Sequence, residues 1–419
     1  MKLKIAPARW HRLMPLIFIT YSLAYLDRAN FGFAVAGKMT EDLNISAATS
    51  SFLGSLFFLG YFCFQIPGGH YAAKRSAKKL IFWSLLVWGI LASATGLISN
   101  INALMVIRFM LGVGESSVVP AILILLSRWF TKSERSKANT LFMLGQPTTV
   151  VWMSILSGYL VSALGWRLMF IWEGLPAIIW AFLWWHLVDD RPRNAKWLTD
   201  QEKNEFEEHL EKEQAKILPI KNYAAAFKSR AVILLCLHFG FWGIGMMGFV
   251  MWLPSIIKAE PGIDMVSTGW LSSVPYLFAV IGMLITSYFS DKVLKRKIFV
   301  WPILMLASGA FLCSYLVGTS NFWLSYSLLI IGGAAMYSPY GPFFAIIPEI
   351  LPSNVLGGAM ALINSFGALG SFAGAYVVGR LNASTGGFGA SYLFMASCVF
   401  VSAVLMLFAV KNEVKTVEC

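Results

Sequence analysis

Residues 13–36 read LMPLIFITYSLAYLDRANFGFAVA, an apolar run of 24 residues with Asp27 and Arg28 side by side in its second half. As an α-helix such a run is about 36 Å long, enough to cross a hydrocarbon layer about 30 Å thick. An ionisable side chain at membrane depth costs roughly 3 kcal/mol on insertion scales, so it persists where it has a partner or a task. A later apolar run repeats the feature with Arg108 and Glu115.

The rest of the chain fits this reading. Of its 419 residues 58% are hydrophobic and 13% charged, and the mean hydropathy is +0.67. A soluble domain carries about 25% charged residues, so the composition is that of an integral membrane protein. The apolar runs are long and do not alternate, which selects helices over a barrel of short alternating strands. Lys2, Lys4, Arg9 and Arg12 resemble the basic start of a signal peptide. The run that follows is too long for one and lacks a small-residue cleavage site, so it is expected to be the first membrane helix.

Twelve helices are expected, numbered 1 to 12, near residues 13–35, 50–72, 79–98, 102–127, 137–161, 167–188, 231–257, 268–290, 298–318, 322–348, 356–379 and 388–410. The formal charge of +12 would suit a nucleic-acid binder, but its distribution excludes that reading. With the N-terminus in the cytoplasm, 27 of the 33 lysines and arginines fall in cytoplasmic segments. Four fall in outer loops (Lys38, Arg167, Lys258 and Arg380) and two, Arg28 and Arg108, lie within spans. That asymmetry is the positive-inside rule, so the basic charge reports topology, with both termini cytoplasmic. The five cysteines show no metal or redox spacing, so neither a metal site nor a disulfide is expected.

A hydrophilic stretch at 189–230 separates an N-terminal six-helix bundle, 1–188, from a C-terminal one, 231–419. Thr199-Asp200-Gln201-Glu202 fits a capping box that opens a charged helix running to about Lys216. The halves echo each other: Lys74, Arg75, Lys78 and Lys79 follow helix 2, and Asp291, Lys292, Lys295, Arg296 and Lys297 follow helix 8. Gln146 and Asn364 occupy comparable depths in helices 5 and 11. Internal symmetry of this kind marks transporters built from two related halves around a midplane site.

Tyr21, Tyr25, Arg28 and Gly32 form one stripe of helix 1, offering a cation, phenolic groups and room near the backbone. That set suits a hydroxylated carboxylate, because the planar arginine fork can hold a carboxylate bidentately. Asp27 points about 100° away, toward a neighbouring helix. On helix 4, Arg108 and Glu115 share a face two turns apart, and a buried carboxyl able to change charge is what proton coupling requires. These four charges also fit a purely structural set of ion pairs, with Arg108 more suited to that role or to coupling than to substrate contact. Gly112 and Gly114 allow close helix packing, and Pro120 loosens helix 4. Tyr61, Gln146, Asn364 and Tyr340 are polar groups in apolar spans, fitting either substrate contacts or bonds between helices. Tyr340 lies in Pro339-Tyr340-Gly341-Pro342, which should break helix 10 where it lines a cavity. Glu173 and Glu349 read as structural or gating charges, and His238 as a hydrogen-bonded helical histidine. No phosphate loop, metal cluster or nucleophile triad is present in the sequence, so the chain is not expected to be an enzyme.

Tyr25-Leu-Asp27-Arg28-Ala-Asn30, Gln65-Ile-Pro67-Gly68-Gly69, and Arg108 through Gly112, Gly114, Glu115 and Pro120 resemble the major facilitator superfamily in its anion:cation symporter branch. The region of helices 1 to 5 is most similar to bacterial transporters of 2-ketogluconate and related hexonates. The resemblance implies an all-α fold of two six-helix bundles in the bacterial cytoplasmic membrane. It also implies proton-driven import of a sugar acid by a monomer, with no cofactor beyond the proton gradient. It makes Asp27 and Glu115 the proton-coupling pair and Arg28 the main carboxylate ligand. Tyr25, Tyr61, Gln146 and Asn364 would complete the cavity, with Tyr340 a further contact. Arg108 and Asp291 would be structural or gating charges. An exchanger or exporter of organic anions would use the same scaffold; a transporter-like sensor would need a signalling domain. The family's acid between helices 2 and 3 is replaced by Ala73, implying a weaker charge relay there, while Asp291-Lys292 is kept in the second half. Helix 10 carries Gly341 and Phe343-Phe344 where relatives can carry polar or indole contacts.

Overall fold

The computed structural model describes residues 6–130, 132–214, 229–293, 295–318, 320–350 and 353–409, and among them it contains helices and no strand. Helices 1, 2 and 3 are Ala6–Ala36, Ala47–Lys74 and Ala77–Leu97. Helix 4 comes as two pieces, Ile101–Ser116 and Val118–Trp129. Pro120 is the third residue of the second piece, where a missing N–H costs nothing. The loosening expected at Pro120 is therefore a break at Ser117, three residues earlier.

Helices 5 and 6 run together through Lys132–Leu187, interrupted only at Gly165 with φ 78° and ψ 166°. That left-handed φ is costly for any residue with a Cβ, so glycine sits at the turn. Helices 7 and 8 are Arg230–Lys258 and Met265–Val293. Helix 9 is Trp301–Val317, preceded by a 3-10 turn at Arg296–Phe299. Helix 10 breaks as expected into Phe322–Tyr337 and Tyr340–Ile350. Helices 11 and 12 are Ser353–Thr385 and Gly389–Ala409.

Side-chain oxygens set several starts. Ser46, Ser76, Asn100 and Asn321 each accept the backbone N–H three residues on, at 3.0–3.1 Å. Each such cap is worth about 1 kcal/mol.

Among the described residues, ten helical stretches are long and apolar enough to cross a membrane. One of them, Leu141–Leu187, has 47 residues, about 70 Å of helix and twice a bilayer, so it must be two spans turned at Gly165. Helix 1, diluted by Asp27, Arg28 and Asn30, is not among the ten. Large apolar side chains such as Trp83, Leu97, Trp172 and Leu316 point outward, as a lipid-facing surface requires.

Two compact units result, one drawn from Met1–Leu218 and Val250–Leu277, the other from Pro219–Phe249 and Phe278–Cys419. The first holds helices 1 to 6, the end of helix 7 and the start of helix 8. In it helix 2 packs on helix 4, and helices 1 and 3 pack on the 5–6 hairpin. A Cβ at Gly112 would overlap the Phe57 carbonyl of helix 2, so helices 2 and 4 meet backbone to backbone. Gly32 corrects an expectation: its open side is filled by the Met251 carbonyl of helix 7, leaving no room there for a ligand. In the second unit helix 9 packs on helices 10 and 12.

Two features lie between the spans. The capping box forms: the Glu202 carboxylate accepts the Thr199 N–H at 2.9 Å, and the Glu202 N–H donates to Thr199 Oγ1 at 3.3 Å. It opens the charged helix Asp200–Gln214. Asp190, just past helix 6, accepts the N–H groups of Ala77 and Lys78 at 3.0 and 3.2 Å and pairs with Arg128 at 3.1 Å. Helix 6 thus delivers a carboxylate to the helix 2–3 junction, although Ala73 contributes none. The side chains of Ala73, Asp291 and Glu349 lie outside the described residues.

Candidate functional site

Six of the expected residues converge in the first unit. Tyr25, Asp27 and Arg28 come from helix 1, Tyr61 from helix 2, and Arg108 and Glu115 from helix 4. The Arg28 and Glu115 side chains are 10% and 1% exposed. Arg28 Nε donates to Glu115 Oε1 at 2.7 Å, and Nη2 donates to the same oxygen. Both arms of the fork therefore hold one carboxylate oxygen, while Glu115 Oε2 is buried with no hydrogen-bond partner. The guanidinium lies over the Tyr61 ring at 4.5 Å, with Tyr25 at 5.5 Å and Phe57 at 5.8 Å. An arginine stacked in this way is held by ring quadrupoles as well as by its acid. Its orientation is fixed.

Asp27 departs from Arg28 as the helical period requires. It is 2% exposed, and the charges that act on it most include Glu115 and Arg108 of helix 4 and Glu173 of helix 6. The Arg108 guanidinium lies 4.6 Å from the Phe31 ring centre and 5.6 Å from that of Phe57. Phe57 thus lies within about 6 Å of both guanidiniums.

A polar chain that the sequence did not reveal continues from Asp27. Asn30 Nδ2 donates to Asp27 Oδ1 at 3.2 Å and to Glu173 Oε2 at 3.0 Å. Ser157 Oγ donates to Glu173 Oε1 at 2.6 Å. Asn30 lies one helical turn past Asp27, which is legible in hindsight. That helices 5 and 6 supply Ser157 and Glu173 is a tertiary fact with no local signal.

Gln146 is buried on helix 5, next to Gly145, which packs against the Tyr21 ring. Tyr21 itself packs on Phe142, with ring centres 4.4 Å apart.

The remaining candidates lie in the second unit. Tyr340 sits where helix 10 restarts, and its hydroxyl donates to the Met246 sulfur at 3.0 Å. Its ring lies 4.8 Å from Trp242 and 6.0 Å from Tyr337. Phe239 and Phe343 stack 5.2 Å apart beside it, and Trp242 donates its indole N–H to the Met336 carbonyl at 3.0 Å. Asn364 is half-buried on helix 11. His238 is fully buried, with Nδ1 2.8 Å from the Ser402 carbonyl, the hydrogen-bonded histidine expected. No described group of histidine, cysteine or acid side chains could hold a metal ion.

The chain matches the sequence description of the Major Facilitator Superfamily over residues 17–375 and again over 254–418. A protein of Agrobacterium vitis named for tartrate transport is 30% identical, over 97% of this chain and 91% of its own length. One of Acinetobacter baumannii named for quinolone resistance is 31% identical, over 94% and 92%. One of Escherichia coli K12 named for galactarate and D-glucarate transport is 26% identical, over 97% and 95%. Among solved structures, the inward-open xylose transporter XylE of E. coli covers 96% of this chain and 97% of its own with a TM-score of 0.78. At 14% identity that likeness speaks for the fold alone. Buried charges on apolar helices, a full-length family match and full-length transporter relatives lead to one conclusion: the chain belongs to the Major Facilitator Superfamily and is a multi-pass membrane transporter, not an enzyme.

Proposed function

We propose that the protein is a proton-coupled importer of a sugar acid, of the 2-ketogluconate or hexonate type, working by alternating access. The observation that carries the proposal is the buried Arg28–Glu115 pair. Glu115 occupies the arginine fork that a substrate carboxylate would need. When a proton neutralises Glu115, Arg28 is left as an uncompensated charge in an apolar site, a costly state that an incoming anion relieves. Proton and anion therefore favour each other, and loss of the proton returns Glu115 to compete for the fork. Tyr25 and Tyr61 flank the guanidinium and would offer phenolic groups to substrate hydroxyls. Gln146, Asn364 and Tyr340 are further candidate contacts, Asp27 a second proton-coupling acid, and Arg108 and Asp291 structural or gating charges.

Relatives named for tartrate and for galactarate and glucarate support a hydroxylated carboxylate as substrate. The proton gradient is the energy source, the protein works as a monomer, and it sits in the cytoplasmic membrane with both termini inside. The N-terminal bundle, 1–188, and the C-terminal bundle, 231–419, are the moving parts, joined by the 189–230 linker.

The test uses purified protein in proteoliposomes with radiolabelled sugar acids and an imposed pH gradient. The wild type should accumulate the acid when the outside is acidic, and Glu115→Gln should exchange it across the membrane without accumulating it. Accumulation by Glu115→Gln equal to the wild type would sink the mechanism. The relative named for quinolone resistance supports a second reading, an anion exchanger or exporter. Wild-type uptake that is driven by an organic anion loaded inside and is unchanged by the pH gradient, with no accumulation from the gradient alone, would select it.

A further inference from the structure

Three carboxyl groups and two guanidiniums are brought together around helix 1 in the first unit: Asp27, Glu115 and Glu173 against Arg28 and Arg108. Arg9, the other buried cation of helix 1, answers to Glu134 at 3.2 Å, some 27 Å down the helix by its rise. With all five groups charged the set is one negative charge in excess. An uncompensated charge in an apolar interior is expensive, and a carboxyl so placed takes up a proton instead. Glu115 faces Arg28, and Asp27 interacts with Arg108. Glu173 has no described cation as partner; its contacts are the neutral donors Ser157 and Asn30.

Hydrogen bonding leads to the same group. The Asp27–Asn30–Glu173–Ser157 chain offers the Asn30 amide and the Ser157 hydroxyl as donors, and these are already engaged by carboxylate oxygens. Two acceptors, Asp27 Oδ2 and Asn30 Oδ1, are buried with no hydrogen-bond partner. Within this four-residue chain no donor is spare, and the unpartnered donor of the wider cluster, Arg108 Nε, belongs to helix 4; the chain itself is short of hydrogen. A proton on Glu173 would supply an O–H donor, and rotation of the Asn30 amide would present Oδ1 to it. The amide could then turn its N–H group toward Asp27 alone. Asn30 can in this way report the charge of one carboxyl to the other.

We infer that Glu173 is a proton-binding residue of the transport cycle, a third acid that holds a proton beside Asp27 with the Asn30 amide as the link between them. The inference rests on the proton-coupled reading above. It goes beyond it by placing a proton site on helix 6, outside the Arg28–Glu115 pair. Glu173 lies about 10 Å along its helix from Trp166, whose indole donates to Asp42 in the loop after helix 1 at 2.8 Å. It therefore lies between that membrane face and Asp27. The charged groups facing it are Asp27 from helix 1 and, through Asp27, Arg108 and Glu115 from helix 4. Helix 5 contributes the neutral Ser157, and helix 3 packs through Gly89 and Ser93 on the adjacent Gly174.

Proteoliposomes carrying the wild type, Glu173→Gln and Glu173→Asp test the proposal, each assayed for gradient-driven accumulation against pH and for counterflow. Glu173→Gln should lose accumulation by roughly tenfold or more (about 1.4 kcal/mol in coupling). Its counterflow should stay within about twofold, since exchange needs no net proton movement. Glu173→Asp, which keeps an ionisable group, should restore much of the accumulation. Glu173→Gln with the wild-type pH profile and accumulation would overturn the assignment. So would equal damage by both variants, which is the mark of a structural role. A wild type that fails to accumulate would instead remove the proton-coupled reading itself. If Glu173→Gln does not fold, Ser157→Ala takes its place: the ionised carboxyl loses a donor, so the pH midpoint of uptake should rise. An unmoved midpoint would overturn the proposal.

Discussion

The two units carry polar candidates of opposite character. In the first, Asp27, Arg28, Arg108, Glu115 and Glu173 are all ionisable and buried. In the second the candidates sit among aromatic rings: Phe239, Trp242, Tyr337, Tyr340 and Phe343, with the Tyr340 hydroxyl donating to the Met246 sulfur. Charge and shape have been segregated. A buried charge can be switched by a proton, whereas an aromatic wall keeps its properties at every pH. On the proposed mechanism, coupling and the hold on the carboxylate both fall to the charges of the first unit, and the aromatic residues of the second would answer to shape alone.

The sharpest way to break this comparison is to remove the cation at its centre. Arg28→Met leaves Glu115 buried without its partner, at a cost of about 3–5 kcal/mol. Uptake in proteoliposomes should fall to background, and the thermal melt of the detergent-solubilised protein should drop by several degrees. A variant that still transports would show that the first unit's charges are structural. On the other side, Tyr340→Phe removes the phenolic hydroxyl, with its hydrogen bond to the Met246 sulfur, and keeps the ring. Its KM for the transported acid should rise about threefold (roughly 0.6 kcal/mol). The pH profile should coincide with that of the wild type, and a displaced profile would mean that the aromatic unit takes part in coupling.

The smallest effect is expected away from both units' candidate residues, in the capping box of the linker. The Glu202 carboxyl is held below its ordinary value by the Thr199 backbone N–H and then by its hydroxyl. A lowered value in the fold means that the cap stabilises the helix above the unfolded carboxyl value. That contribution is lost as pH falls through the lowered one. Thr199→Ala should cost at most about 1 kcal/mol, seen as faster amide exchange at the start of Asp200–Gln214, with transport unchanged. A transport defect there would extend the comparison to a third region.

What could be read from the sequence follows what is local. The spans, the broken helix 10 and the capping box are each set by a few adjacent residues, so length, proline placement and a Thr-x-x-Glu spacing were enough. Asp27 and Arg28 were also separable, because neighbouring residues on a helix face different ways. The choice of partners was not legible. Arg28 meets Glu115 at a separation of 87 residues, and Asn30 meets Glu173 at 143; no local pattern records such distances. Arg9 is the plainest case. It counts as one topogenic charge in the sequence, yet it is buried, donating to the Trp129 carbonyl at 2.7 Å and lying over Phe206. Gly32 misled for a related reason: a missing side chain reads as room, and another helix's backbone had taken it.

Asp190 has a consequence for the order in which the protein is made. The amides it accepts belong to residues 113 and 112 positions earlier, and its arginine to one 62 positions earlier. Synthesis runs from the N-terminus, so the ends of helices 2, 3 and 4 emerge long before the group that fastens them. Until helix 6 is complete, the Ala77 and Lys78 amides and the Arg128 side chain lack the carboxylate of Asp190. A single late residue thus acts as a clasp for the nascent first bundle, and chains stopped before it would hold their helices without locking them.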